Sequence, residues 1–220
     1  MGNLVSVVTD LHRRTQRDYL ARMKDEKIHC MGVAKKYDQQ YWDGDRRYGY
    51  GGYRYDGRWE IVARRLVELY RLPANAGILD VGCGKGYLLY EFKKLLPECS
   101  IIGFDASEYA LRGAKEEVKR SLCLGNAQDK YPYADKSFDL VISITTLHNL
   151  AVYDLKRALT QIERVGKNKY LVVESYRNDA ELFNLQCWAL TCQAFFSKSE
   201  WEWIFKEFGY TGDYEFIYFV

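Results

Sequence analysis

Three glycines in alternate positions follow a short apolar run in the first half of the 220-residue chain. The run at 78–81 leads into Gly82, Gly84 and Gly86, and an amphipathic stretch begins at Tyr87. Glycine lets a backbone pass close to a bound ligand, and the first turn of a helix presents unpaired N–H groups to an anionic group such as a carboxylate. The pattern predicts a ligand-binding turn between a β-strand and an α-helix.

The place of the third glycine and a nearby acid distinguish two kinds of ligand. A dinucleotide-binding turn has the pattern G-x-G-x-x-G, whose third glycine packs beneath a pyrophosphate. Here the third glycine comes one residue early, Tyr87 stands at the position the pattern reserves for glycine, and Asp80 brings a negative charge to the turn. Because negative charge repels a pyrophosphate and attracts a sulfonium or ammonium group, the turn favours a cationic ligand over a nicotinamide dinucleotide.

Further reactive side chains stand where apolar runs end. Asp105 lies 25 positions after Asp80, as a strand–helix–strand unit requires, while His148 follows the fourth apolar run and Glu174 ends the fifth. Ligands of parallel α/β sheets bind outside the carboxyl ends of the strands, so these side chains are expected at one edge of the sheet. An imidazole or a carboxylate at that edge could remove or orient a proton of an acceptor.

These motifs resemble those of the class I S-adenosylmethionine-dependent methyltransferases. Residues 79–86, Leu-Asp-Val-Gly-Cys-Gly-Lys-Gly, have the form of the family's first motif, and Gly-Phe-Asp-Ala-Ser at 103–107 that of its second. Gly-Asn-Ala at 125–127 stands where the family has Gly-Asp-Ala, and residues 131–143 resemble the stretch leading into its fourth strand. The resemblance, which covers about residues 58–174, implies an enzyme that binds S-adenosyl-L-methionine, transfers its methyl group and releases S-adenosyl-L-homocysteine.

The resemblance also implies roles for individual residues. In the family, the acid at the position of Asp105 accepts hydrogen bonds from both ribose hydroxyls, and the acid at the position of Asn126 contacts the adenine amino group. An amide oxygen can accept the same adenine N–H, so Asn126 keeps this predicted role. The predicted cofactor-binding residues are Asp80, Gly82, Cys83, Gly84, Asp105, Ala106, Asn126, Ala127 and Ile144.

Two residues are predicted to be catalytic, each with a plainer alternative. His148 is expected to act as a general base, although many family members carry a histidine here that positions a helix. Glu174 is expected to orient an amine or hydroxyl of the acceptor, and a surface ion pair is its alternative. The same alternative applies to Arg177, which is predicted to bind a phosphate or carboxylate of the acceptor beside Tyr176.

A segment dense in glycine, tyrosine and arginine, residues 41–59, precedes the motifs. It is predicted to lack regular secondary structure and to cover the sulfonium and the acceptor, with Tyr48, Tyr53, Arg54 and Arg58 as acceptor contacts. Its arginines favour an anionic acceptor, such as a sugar or nucleotide-sugar intermediate, ahead of an amino-acid-like amine. A loop packed on its own aromatics and an RNA-contacting tract are the alternatives.

Apolar runs alternate with amphipathic stretches, which predicts an α/β, Rossmann-like, mostly parallel sheet with helices on both faces. The predicted strands are 78–81, 101–105, 122–124, 140–144 and 170–174, and the predicted helices are 60–70, 87–95, 107–119, 154–165, 180–194 and 198–208. Ser197 and Glu200 predict a capping box, and the run at 214–220 is predicted as an antiparallel closing strand. Residues 1–57 are predicted as a helical segment and aromatic cap, and 58–220 as the methyltransferase domain.

The composition limits the partners. Lys and Arg number 32 against 30 Asp and Glu, and this net charge of +2 disfavours nucleic acid and anionic membranes as partners. No apolar run approaches the roughly 20 residues of a membrane span. Six cysteines without a CxxC pair predict neither a metal site nor a disulfide, and favour the cytoplasm. The predicted activity is methylation of an O or N atom of a small molecule; an RNA methyltransferase and a cofactor-binding protein without turnover are alternatives, and a homo-oligomer is compatible with the sequence.

Overall fold

One six-stranded sheet organises the chain, which a computed structural model describes over residues 2–13 and 15–220. Its strands are β1 (Gly77–Val81), β2 (Ser100–Asp105), β3 (Leu122–Leu124), β4 (Phe138–Ile144), β5 (Gly166–Glu174) and β6 (Asp213–Ile217). They lie in the order β3-β2-β1-β4-β5-β6, and every neighbouring pair is parallel. The order reverses between β1 and β4, and α/β sheets bind their ligands at the carboxyl ends of strands at such a switch point.

Helices cover both faces of this sheet, as predicted. They are α1 (Thr9–Arg13), α2 (Tyr19–Lys24), α3 (Lys27–Ala34), α4 (Gln39–Asp43), α5 (Glu60–Tyr70), α6 (Tyr87–Leu95), α7 (Glu108–Arg112), α8 (Glu116–Lys119), α9 (Val152–Val165), α10 (Asp179–Trp188) and α11 (Lys198–Glu207). Successive residues of β1 point to opposite faces, so Ile78 packs with Leu66 of α5 and Phe92 of α6, while Leu79 joins the core that contains α9 and α11. This alternation fixes the two layers of helices about the sheet.

The closing strand differs from the prediction, because β6 runs parallel and not antiparallel. Leu171 of β5 is paired with Tyr214 of β6 in a parallel register. The chain leaves β5 at the carboxyl edge of the sheet, and the crossover through α10 and α11 carries it back to the edge at which β5 began, so that β6 runs parallel to β5. The predicted antiparallel closing strand is therefore wrong in direction, although its position beside β5 fits the six-stranded sheet.

Two predicted helices are shorter than expected. The helix at 107–119 is divided into α7 and α8 by Gly113, a residue with low helix propensity that forms the C-cap of α7. The helix at 180–194 ends at Trp188, because Ala189 takes an extended conformation. The capping box of Ser197 and Glu200 is confirmed at the start of α11.

The segment at 41–59 begins with regular structure, contrary to the prediction. Trp42 lies in α4, whose N-cap is Asp38, and a 3-10 turn at Arg46–Tyr48 follows, capped by the Asp45 carboxylate. Asparagine and aspartate side chains cap helical turns by accepting the first free N–H groups. The aromatic residues of this segment are thus held on short helical turns as well as on loops.

The first residues of the chain are anchored to the far edge of the sheet. Leu4 forms a parallel bridge to Tyr214. The Glu215 carboxylate, 1% exposed, accepts the backbone N–H groups of Val7 at 2.7 Å and Thr9 at 2.6 Å, at the start of α1. A buried carboxylate beside the N-terminus of a helix satisfies N–H groups that have no partner within the helix. This contact places α1 beside β6, and the following α2 packs against α10. Within the described residues, none of the helices is both long and apolar enough to cross a bilayer.

Candidate functional site

Two adjoining cavities lie at the carboxyl edge of the sheet. The smaller, of about 310 Å³, is called here the motif cavity because six of the predicted cofactor residues line it: Gly82, Asp105, Ala106, Asn126, Ala127 and Ile144. The larger, of about 420 Å³, is called the arginine cavity after the side chains described below. The two share a wall formed by Tyr41, Tyr50, Ile144, Thr145, Asn149 and Thr191.

The glycine turn after β1 has the geometry that the sequence predicts. Gly82 and Gly84 have φ angles of +81° and +55°, which side chains other than glycine rarely adopt. A Cβ atom added at Gly82 would lie 2.1 Å from Oγ1 of Thr146, and one added at Gly84 would lie 2.9 Å from the ring of Trp42. The turn therefore requires glycine for its conformation and for the space around it.

Asp105 is held at the rim of the motif cavity by backbone hydrogen bonds. Its Oδ2 accepts the N–H of Gly84 at 2.8 Å and its Oδ1 accepts the N–H of Ser107 at 2.8 Å. Burial raises the pKa of Asp105, and these two N–H groups oppose that shift. The backbone after β2 and the glycine turn together hold the orientation of the Asp105 carboxylate.

Three of the predicted cofactor residues support the turn and do not line the cavity. Asp80 is 4% exposed, and burial, with the nearby Asp105 charge, raises its pKa to about 8. The Cys83 side chain lies against Gly103 of β2, and Gly84 is covered by the Trp42 ring. These three residues support the backbone beneath the cavity, whereas neighbouring residues such as Gly82, Asp105 and Ala106 line it.

Asn126 lies at the exposed end of the motif cavity. Its Nδ2 donates to Oδ2 of Asp129 at 2.9 Å, and its backbone N–H donates to the same oxygen at 3.3 Å. Because the amide nitrogen faces Asp129, the amide oxygen points away and accepts no hydrogen bond from the described residues. The oxygen can therefore accept an N–H group of a ligand such as an adenine.

Aromatic residues of the N-terminal segment also line the motif cavity. The sequence predicted that residues 41–59 cover the sulfonium, but it did not indicate which rings lie there. Trp42 Nε1 donates to Ser107 Oγ at 2.8 Å, and its ring stacks on Tyr50 with centroids 5.2 Å apart. Tyr37 and Tyr41 complete this wall. Because no fixed spacing links these residues to the glycine turn, the sequence carries no signal for the contact.

A buried ion pair joins the same segment to the glycine turn. Lys85, whose side chain is 6% exposed, lies 2.7 Å from the Asp43 carboxylate and also donates to the carbonyl oxygen of Tyr53 at 2.8 Å. The Tyr109 hydroxyl donates to the same carboxylate at 2.9 Å. Charged hydrogen bonds with little exposure are among the stronger polar contacts of proteins. The N-terminal segment is thus fastened directly beside the cofactor-binding motif.

Both predicted catalytic residues line the arginine cavity and contact each other. His148 Nδ1 accepts the backbone N–H of Glu174 at 3.3 Å, and His148 Nε2 lies 3.4 Å from Oε2 of Glu174. An Nδ1 that accepts leaves the ring proton on Nε2, facing the carboxylate. Burial lowers the pKa of His148, and the Glu174 charge only partly opposes this. His148 is therefore neutral near pH 7, with its Nδ1 accepting a backbone N–H and its Nε2 facing the carboxylate of Glu174.

The predicted acceptor residues divide into two groups. Tyr53, Arg54 and Arg58 line the arginine cavity. Tyr48, Tyr176 and Arg177 lie outside both cavities: Tyr48 packs its ring against His29 at 5.8 Å, Tyr176 faces Glu200 at 3.4 Å, and Arg177 pairs with Glu181.

Thr145 occupies the wall between the cavities in an uncommon conformation. Its φ is +53°, although it is not glycine, and its N–H donates to the carbonyl oxygen of Val172 at 2.9 Å. Non-glycine residues with positive φ cost conformational energy and cluster at functional sites. The sequence offered no sign of this, because threonine is an ordinary residue at the end of a strand.

Comparisons with known proteins indicate the family and the fold of this chain. The family model for a methyltransferase domain matches residues 73–209. The human mitochondrial arginine-hydroxylase NDUFAF5 is 30% identical over 133 residues, which are 58% of this chain and 36% of that protein. The chain thus spans about a third of the length of this curated relative.

Two solved structures show the same fold. The YcgJ protein from Bacillus subtilis superposes with a TM-score of 0.54 at 21% identity, covering 66% of each chain. The plantazolicin methyltransferase BpumL, solved with a substrate analogue and S-adenosylhomocysteine, superposes with a TM-score of 0.56 at 18% identity, covering 84% of this chain and 77% of that one.

Proposed function

Because the chain belongs to the S-adenosylmethionine-dependent methyltransferases, we propose that its acceptor is a small molecule bound in the arginine cavity and methylated on an O or N atom. The cofactor is S-adenosyl-L-methionine, whose sulfonium supplies an electrophilic methyl group. In the proposal, the residues of the motif cavity bind it: Asp105 the ribose hydroxyls, Asn126 the adenine amino group, and Gly82 the methionine part. Asp80 lies beneath the turn with its pKa raised to about 8 in the absence of cofactor, and the positive charge of the bound cofactor favours its ionised form.

The shared wall of the two cavities is the observation that carries this proposal. Ile144 and Thr145, at the end of β4, line both spaces, as do Tyr41 and Tyr50. Two ligands, one in each cavity, would come together at this wall. Methyl transfer requires mainly that the nucleophile and the methyl carbon be held in line at close range. A volume of about 420 Å³ is within the range of small-molecule sites.

Glu174 is the residue proposed to act on the acceptor. Its carboxylate accepts the hydrogen of an acceptor hydroxyl or amine, which turns a lone pair toward the shared wall, and it takes up the proton released when the new C–O or C–N bond forms. His148 is proposed as a positioning residue, since its Nδ1 accepts the backbone N–H of Glu174 and its Nε2 lies 3.4 Å from Oε2 of Glu174. General acid–base groups of this kind contribute about 10²–10⁴-fold to rates.

The proposal is tested by finding what gains a methyl group. The purified protein is incubated with deuteromethyl-labelled S-adenosylmethionine and a cell extract separated into metabolite, RNA and protein fractions, and each fraction is analysed by mass spectrometry. We expect the label in one or a few anionic metabolites, and no label with a Gly84→Val variant, which removes the cofactor turn. Label recovered only in RNA or only in protein would refute a small-molecule acceptor.

A further inference from the structure

Three arginines surround one tryptophan in the arginine cavity. The guanidinium carbons of Arg17, Arg22 and Arg46 lie 5.5, 4.9 and 5.0 Å from the centroid of the Trp188 ring. Arg22 comes from α2, Arg46 from the 3-10 turn and Trp188 from the end of α10. Aromatic faces attract guanidinium groups, so Trp188 serves as a common platform that brings the three together. These four residues are called the arginine cluster.

The arginine cluster lacks the carboxylates that accompany other arginines. Among the described side chains, none of its three arginines forms an ion pair, whereas Arg47 is 2.7 Å from Asp25 and Arg58 is 2.7 Å from Asp56. Burial lowers the pKa of Arg22, and the adjacent charge of Arg46 lowers it further. Burial and then Arg22 lower the pKa of the neighbouring Lys27 to about 8. The positive charges therefore repel one another, and no described carboxylate lies within ion-pair distance of the three guanidinium groups.

Hydrogen-bond donors also remain unused in the cluster. The Nε atoms of Arg17 and Arg22 are buried without an acceptor. Arg22 uses Nη1 on the carbonyl oxygen of Arg46 at 2.6 Å, and Arg46 uses Nη1 on that of Gly49. The Nη2 atoms of Arg22 and Arg46 make no hydrogen bond to the described residues. Buried donors without acceptors are costly, and an anion with several oxygens would satisfy them.

We propose that the arginine cluster binds a phosphoryl group of the methyl acceptor, so that the substrate is a phosphorylated small molecule. The inference rests on the proposed function, because it says which chemical group lies at the end of the acceptor that is remote from the methylated atom. Both Nη atoms of Arg17 already contact His12 and Thr15. The Nε atoms of Arg17 and Arg22 and the Nη2 atoms of Arg22 and Arg46 remain unused, and a phosphate, with up to two negative charges and three terminal oxygens, can accept from several of them.

The charges of the arginine cavity also set the direction in which the substrate lies. Glu174, on the same cavity, repels an anion and attracts a hydroxyl or ammonium group. The Glu174 charge reaches the cluster, since it raises the pKa of Arg17 against the effect of burial. The phosphoryl group therefore binds at Trp188, and the atom to be methylated lies at Glu174 beside the shared wall.

The test measures anion binding and cofactor binding separately. Inorganic pyrophosphate is titrated into the protein loaded with S-adenosylhomocysteine, by calorimetry at constant ionic strength, with succinate and poly-uridylate as further probes. The variants are Arg22→Gln and Arg22→Lys, and the matched control is Arg157→Gln, an arginine on α9 that pairs with Asp154 outside both cavities. Circular dichroism confirms that each variant is folded.

We expect the dissociation constant for pyrophosphate to rise about tenfold or more in Arg22→Gln and to be unchanged in Arg157→Gln, as loss of a charged hydrogen bond implies. Arg22→Lys, which keeps the charge and loses the fork, should also bind more weakly than the wild type. Affinity for S-adenosylhomocysteine should be equal in all four proteins.

Two sets of results would overturn the inference while leaving the proposed function intact. One is equal pyrophosphate binding by the wild type and Arg22→Gln; the other is succinate bound as tightly as pyrophosphate, or poly-uridylate bound far more tightly than either. Failure of the wild type to bind S-adenosylhomocysteine would instead contradict the proposed function itself.

Discussion

The two cavities at the carboxyl edge of the sheet differ in charge and in how the chain builds them. The motif cavity has the carboxylate of Asp105 in its wall, and most of its lining comes from turns that directly follow strands. The arginine cavity is lined by arginines, and its wall draws on α1, α2, the 41–59 segment and α10. A cationic cofactor and an anionic acceptor fit these opposite charges, and a shared wall brings them together.

The difference shows that the motif cavity is determined by short stretches of adjacent residues, whereas the arginine cavity is determined by how distant segments pack together. The conformation of the glycine turn depends on a few adjacent residues between β1 and α6, because these residues have positive φ angles and lack bulky side chains. The arginine cluster exists only because Glu215 anchors the first residues to β6 and Lys85 fastens the later segment to the turn. Substitutions in the two cavities should therefore have separable effects.

The largest effect is expected from closing the glycine turn. In Gly84→Val the side chain would enter the space of the Trp42 ring at a φ of +55°, so we expect the dissociation constant for S-adenosylmethionine to rise on the order of 100-fold or more. Gly57→Val is the matched control: its φ is +78°, but an added Cβ meets no atom within 4 Å. Calorimetry on both variants separates the steric cause from backbone strain. Equal losses in the two would contradict the assignment of the turn.

A smaller effect is expected from the ribose-binding carboxylate. Asp105→Ala removes a charged acceptor and should weaken binding of S-adenosylmethionine by about 1.5–3 kcal/mol. Asp154→Ala, which removes a surface carboxylate on α9, serves as the control and should leave the affinity unchanged. Calorimetric titrations of both variants provide the measurement. Unchanged affinity in Asp105→Ala would exclude Asp105 from the cofactor site.

The sequence indicates the motif cavity well and the arginine cavity poorly for the same physical reason. Asp105 and Ile144 could be placed because strand ends of a parallel sheet share one edge, and that edge is implied by the order of apolar runs. Arg17 and Arg22 lie more than 160 positions before Trp188 and have no periodic relation to it, so only the folded chain brings them together. Of the arginines that the sequence did favour, Arg54 and Arg58 line this cavity, whereas Arg177 pairs with Glu181.

The direction of the last strand was also beyond local reasoning. The residues of β6 suit either orientation, since a strand's apolar alternation is the same read in both directions. The crossover through α10 and α11 decides it, and that depends on how these helices pack over the sheet. Likewise, Thr145 looks ordinary in sequence, yet its φ of +53° places it between the cavities.

A further prediction concerns how the free energy of unfolding depends on pH when no cofactor is bound. The pKa of Asp80 is raised to about 8 in the folded protein, mainly by burial, so folding holds a proton that the unfolded chain releases above about pH 4. The stability that this provides is complete below pH 4 and is lost as pH rises through about 8, with a slope of about 1.4 kcal/mol per pH unit between these limits. Asp80→Asn should remove that slope in urea unfolding between pH 5 and 7. Identical slopes in the two proteins would contradict the shift.

The central claim, that the two cavities hold the two substrates and that Glu174 acts on the acceptor, is tested most directly by Glu174→Gln. Once the acceptor is known, kcat and the dissociation constant of S-adenosylhomocysteine are measured for the wild type and the variant. We predict that kcat falls about 10²-fold or more while cofactor affinity changes less than about twofold, because Glu174 lines only the arginine cavity. Normal turnover, or loss of cofactor binding in the folded variant, would contradict the account.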